Sequence, residues 1–151
     1  MINSIIYAIN AALSAEFGSD YKIYMEEVNQ DLRKSSFFIS CVNSSRKLFS
    51  GKRYFNQNMF CIQYFPETEN AYQECNQIME KLYDCLECVI IFDGEKNFYG
   101  TQMSGKVVEN VLNFFVNYDF FTYKTGKEEA MEVIRVKNDV KDERINVESK
   151  E

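Results

Sequence analysis

Between Val107 and Lys124 the chain reads VVENVLNFFVNYDFFTYK, and from Leu112 onward its residues alternate with the period of a β-strand. Leu112, Phe114, Val116, Tyr118 and Phe120 form one face and must be core. Asn113, Phe115, Asn117, Asp119 and Phe121 form the other. A strand with one wet face usually carries Lys, Glu and Thr there, so amides, an acid and two phenylalanines imply a face covered by something other than water. A helix of the same chain, its C-terminal tail or another polypeptide would each satisfy that requirement.

The rest of the sequence supplies enough apolar material to bury such a strand. With 151 residues, 46% of them hydrophobic, the chain fits one domain that needs neither disulfides nor metals to close a core. No apolar run approaches the ~18 to 20 residues of a membrane span, and MINSIIYAIN has neither a basic n-region nor a small-residue cleavage site. The expectation is a chain made in the cytoplasm, where its five cysteines stay reduced and pack as small hydrophobes.

Reading from the start, Ile2, Ile5, Ile6, Ile9, Leu13 and Phe17 fall at helical spacing, with Asn3 or Ser4 near the start and Gly18 as a stop. Tyr21 to Val28 alternates as a first strand, and SFFISCV (Ser36 to Val42) is apolar almost throughout, as a central strand would be. NSSRKLFSGKRYFNQ then leads into NMFCIQYF, which predicts a long hairpin ended by Pro66. Glu67 to Leu86 reads as a second helix capped by Thr68 or Asn70, with Lys81 complementing its C-terminal dipole. CVIIF, a turn at Asp93-Gly94, Asn97 to Tyr99, Met103 to Val108 and a turn at Glu109-Asn110 complete the strands up to Tyr123.

This order predicts an α+β fold: a mainly antiparallel β-sheet with two α-helices packed on one face and a long protruding β-hairpin. Residues 1–124 form the domain. Residues 125–151 are dominated by charge of both signs and read as a mobile or partner-dependent tail, whose apolar spacing at Met131, Val133, Ile134 and Val136 allows one edge strand.

Charge is distributed unevenly. The net charge is -6, yet between Leu32 and Pro66 the chain carries Arg33, Lys34, Arg46, Lys47, Lys52 and Arg53 with no acid. A basic hairpin on an acidic body fits a solvated loop, an assembly contact or a nucleic-acid patch. Aromatics interleave with these cations in FFISC and RKLFSGKRYF as they would in a single-strand binder, though aromatics are frequent in the whole chain.

Catalytic patterns are missing. With no histidine, the Ser-His-Asp and Cys-His arrangements are excluded. The six glycines are scattered and form no phosphate-binding loop. Cys85 and Cys88 make a CxxC, with Cys75 on the same helix, but Cys41 and Cys61 are isolated, so packed thiols explain the five better than a redox pair or half a zinc site. Glu26 and Glu27 point to opposite faces of a strand, and Glu128 and Glu129 read as solvated charge. No catalytic, cofactor or metal residues are expected.

Three blocks carry a family likeness: EFGSDYKIYMEEVNQDL, FFISCVNSSRKLFSGKRYFNQNMFCIQYFP and VLNFFVNYDFFTYK. Together they resemble the tail terminator family of phages, prophages and phage-tail-like bacteriocins of clostridial and bacillus-type Gram-positive bacteria, from Met1 to about Tyr123. The resemblance implies a structural protein without a catalytic site, forming a hexameric ring at the head-proximal end of the tail tube. It implies as partners other copies of the chain, the tube protein, the sheath protein in a contractile tail, and neck or head-tail connector proteins, with assembly in the host cytoplasm. A neck adaptor or a monomeric nucleic-acid-binding module are the alternatives. On the ring reading, the hairpin residues Arg46, Lys47, Lys52 and Arg53 contact a neighbouring subunit or the tube end, and Phe115, Asn117, Asp119 and Phe121 face an adjoining chain.

Overall fold

The computed structural model describes residues 1–26, 35–91, 96–125 and 128–133. Its elements run α1 (Ile2–Phe17), β1 (Lys22–Tyr24), β2 (Ser36–Ser50), β3 (Arg53–Phe65), α2 (Ala71–Cys85), β4 (Cys88–Ile91), β5 (Lys96–Val108), β6 (Val111–Tyr118), β7 (Phe120–Thr125) and β8 (Glu128–Val133). The sheet order is β1-β2-β3-β6-β5-β4, with β7 and then β8 added beside the first half of β3. Every pairing is antiparallel except that of β1 with β2. The fold is therefore α+β, as the sequence predicts.

Both helices pack on the face that alternation assigns to the core. Phe17 of α1 stacks on Phe37 with ring centroids 4.9 Å apart, and Tyr83 of α2 meets Phe114 edge-on at 5.1 Å. Leu112, Phe114, Val116 and Tyr118 are fully buried beneath them, each contributing about 1.5–3 kcal/mol of apolar burial. Gly100 allows the closest approach: a Cβ there would meet the Leu86 carbonyl oxygen at 2.7 Å and Val116 Cγ2 at 2.8 Å. The same carbonyl accepts the Tyr118 hydroxyl proton at 2.6 Å, so the α2–β4 junction is tied to the sheet at that point.

Several boundaries differ from the sequence expectation. The first strand is only Lys22–Tyr24; Val28, Arg33, Lys34 and the Asp93-Gly94 turn lie outside the described residues. Helix α1 takes Met1 as its N-cap in place of Asn3 or Ser4, and Gly18 at φ 83° ends it as expected. Asn97–Tyr99 and Met103–Val108 belong to one strand, β5, because a bulge with Gln102 at φ 52° resets the alternation between them. At the Glu109-Asn110 turn both residues have positive φ, 51° and 64°, which gives the tight reversal a two-residue hairpin needs.

Helix α2 starts at Ala71 rather than Glu67, since Glu67 and Thr68 serve as donors to a residue inside the helix. The Glu74 carboxylate accepts the Thr68 N–H at 2.9 Å, the Thr68 hydroxyl at 2.8 Å, the Glu67 N–H at 3.0 Å and the Tyr64 hydroxyl. It stands in the first turn, where a negative charge also suits the helix dipole. Lys81 is not in the last turn; its ammonium lies 5.7 Å from the Phe17 ring centroid. Burial raises the Glu74 pKa, but the bonds from Tyr64, Glu67 and Thr68 outweigh it and hold the group below 4.5. A carboxylate depressed in the folded state adds stability that is complete above pH 4.5 and is lost as pH falls through its folded pKa. Urea unfolding followed from neutral pH down to pH 3 should show Glu74→Gln less stable than the wild type at neutral pH, with a shallower loss of stability below about pH 4.5.

Candidate assembly surface

Beyond the helix layer the sheet continues as a four-stranded arm made of the distal parts of β2 and β3 together with β7 and β8. The arm is continuous with the core because β6 and β7 are one strand in register: Met59 pairs with Asn117 and Asn56 with Phe120, with no residue gained or lost between them. Asp119 interrupts the ladder locally. Its Oδ1 accepts the Asn58 N–H at 3.0 Å, taking the place of a strand carbonyl. At the tip Gly51 adopts φ 55°, a conformation in which a Cβ is strained.

The two faces of the arm differ chemically. On the helix side the even positions of β3 continue the phase of Phe60, Ile62 and Tyr64, but they are amides, Asn58 and Asn56. Both are buried, and both are bonded across strands. Ser44 donates to Asn58 Oδ1 at 2.8 Å and Arg46 Nε to Asn56 Oδ1 at 2.7 Å. Asn56 Nδ2 in turn reaches Thr122 Oγ1 at 3.0 Å and the Phe120 carbonyl at 3.2 Å. Met1, the N-cap of α1, and Ile2 and Asn3 of its first turn border the recess above this network. A polar network satisfied in this way fixes the relation of the strands, since breaking one member strands a buried partner.

On the opposite face the arm is aromatic. Phe121 lies between Phe49 and Phe55, with ring centroids 5.0 Å from each. The Arg53 guanidinium sits 4.0 Å from the Phe121 centroid, 5.3 Å from Phe49 and 6.0 Å from Tyr123. The stripe continues along β6 through Asn117 to half-buried Phe115, which is in register with Cys61 and Ser104. Among the described residues no helix covers it, because α1 and α2 both pack on the core face.

The four hairpin cations are thus divided rather than gathered at one tip. Arg46 lies on the helix side, Lys47 opposite Phe55 on the other face by strand alternation, Lys52 in the exposed turn, and Arg53 over the aromatic cluster. Phe115, Asn117, Asp119 and Phe121 do share one face. Asn117 is only 5% exposed, and its Oδ1 has no hydrogen-bond partner. Asp119 is half-buried; desolvation lifts its carboxyl above the usual 3.8, against the opposing bonds from Asn58 and Asn117. The polar network of Ser44, Asn56, Asn58 and Thr122 escaped the sequence reading, although amides occupying the buried phase of β3 were its signal.

The cysteines are all free thiols. Burial pushes Cys85 up to about 12 and Cys61 up to about 11, the opposite of what a reactive thiolate requires. Among the described residues no group of three His, Cys, Asp or Glu side chains is arranged to hold a metal ion, and no helix is long and apolar enough to cross a membrane.

A family model described as phage tail terminator protein matches residues 4–130, and the chain belongs to that family. The match takes in the arm through the start of β8, beyond the Tyr123 limit of the likeness read from the sequence. Comparison with curated proteins finds no match. Membership gives the chain a structural role in completing a phage-type tail, as a component of the particle.

Asp119 is the joint between core and arm, and its contribution can be measured. Asp119→Ala removes the acceptor of the Asn58 N–H and should cost about 1–3 kcal/mol, while Asp119→Asn keeps an oxygen there and should cost less. Urea unfolding gives the order of the two variants, and amide exchange at Asn58 should accelerate in the alanine variant.

Proposed function

We propose that this protein forms a hexameric ring at the head-proximal end of a phage-type tail tube, ending tube polymerisation and joining the tail to the neck or sealing it in a bacteriocin particle. The observation that carries the reading is the sheet face turned away from both helices, where Phe115, Asn117, Asp119 and Phe121 run into the cluster of Phe49, Phe55 and Arg53. Aromatic residues and arginine are the types enriched where protein interfaces are fully desolvated.

The proposed partners are other copies of the chain, the tube protein and, in a contractile tail, the sheath protein, with neck proteins above. On this reading the exposed turn at Lys52 meets a neighbouring subunit or the tube end, where its charge would orient docking more than it would tighten it. No bond is made or broken in this role.

Sedimentation of purified protein, alone and with tubes of the cognate tail protein, tests the proposal. Phe115→Asp should weaken ring formation at least about thirtyfold, as expected for loss of an interface hot spot of ~2 kcal/mol. Lys52→Glu with Arg53→Glu should reduce tube capping, most at low salt. Undiminished rings and capping in both variants would contradict the reading.

A further inference from the structure

Among the described residues the arm has two edges with no pairing strand, and their sequences carry opposite charge. On one side β1 pairs with β2 only from Ser36 to Phe38, and Val42 through Ser50 are all exposed. This stretch, VNSSRKLFS, holds Arg46 and Lys47 and no acid. On the other side β8 pairs, among the described residues, with β7 alone, and its sequence, EEAMEV, holds three glutamates and no cation. A long exposed edge strand is a pairing template that monomeric proteins shorten, bulge or cover.

We infer that the β2 edge of one copy pairs with the β8 edge of the next, so that the arms of successive subunits form one continuous sheet. Backbone hydrogen bonding along the edges would supply the attraction, as it does whenever a strand is added to a sheet. Charge supplies the selectivity. Pairing β2 with β2 sets cations together and pairing β8 with β8 sets glutamates together, so both two-fold arrangements are disfavoured, whereas β2 on β8 places opposite charges across the ladder. The contact joins two different patches and is therefore head-to-tail, the kind that closes into a ring. Within one chain β2 and β8 stand three strands apart in the arm, roughly 14 Å, so they cannot satisfy each other.

This pairing rests on the ring reading above, and disulfide trapping separates the two. Ser45→Cys or Leu48→Cys is combined with Ala130→Cys or Met131→Cys in the full-length chain, with the single variants as controls for the native thiols. The separation of β2 from β8 exceeds the ~7 Å Cα limit for a disulfide, so any bond specific to the double variants must join two chains. Oxidation of rings or capped tubes should give a ladder of covalent multimers in at least one double variant and none in the singles. Lys47→Glu should weaken self-association about tenfold, and adding Glu128→Lys and Glu132→Lys, the two β8 positions in phase with Lys47, to the same chain should restore it. Rings that form normally, yet cross-link in none of the four combinations and ignore Lys47→Glu, would overturn the edge pairing and leave the ring reading standing. A wild-type chain that neither self-associates nor binds tube ends would overturn both.

Discussion

The structure depends on one uninterrupted strand register that runs from Val111 through Thr125 and serves two environments in turn. Up to Tyr118 the strand lies in the middle of the sheet under both helices, and its even residues complete the core. Past Asp119 the same strand forms the arm: Phe120 still packs on the core, while its carbonyl and the Thr122 hydroxyl join a polar network. Because side-chain direction repeats every two residues, keeping the register keeps every odd residue on the far face, so Phe115 and Phe121 belong to a single surface. A one-residue slip at Asp119 would turn Phe121 toward the helices and bury the wrong half of the arm. The carboxylate that accepts the Asn58 N–H bridges the interruption without the slip.

Amides occupy the inner face of the arm for a related reason. Positions 56 and 58 are buried, 5% and 2% exposed, so amides there cannot turn to water for their hydrogen bonds. Asn56 and Asn58 instead bond across to Thr122, Phe120 and Tyr118, which orders the strands without requiring a hydrophobic cover. Their bonds are directional, so the arm is held in one geometry before any partner arrives. Preorganisation of that kind lowers the ordering cost of association.

Much of this was legible in the sequence. Period-two alternation gave the β6–β7 strand and its core face, and the Gly-containing basic stretch gave the hairpin. What escaped has physical causes. The Gln102 bulge broke the alternation of β5, so one strand read as two. The Glu74 hydrogen bonds hold Glu67 and Thr68 outside the helix, although their composition suits a first turn. The four hairpin cations looked like one patch because sequence proximity conceals alternation, which by itself puts the neighbours Arg46 and Lys47 on opposite faces. The family likeness found most of the chain, and the parallel placement of β1 beside β2 had no local signal at all.

If the protein acts by shape and surface alone, its absence should change the geometry of the assembled particle and nothing chemical. Electron microscopy of particles assembled in cells lacking this chain is the direct measurement. The account predicts tubes of uncontrolled length with open, unfinished head-proximal ends; tails of uniform length with complete ends would contradict it.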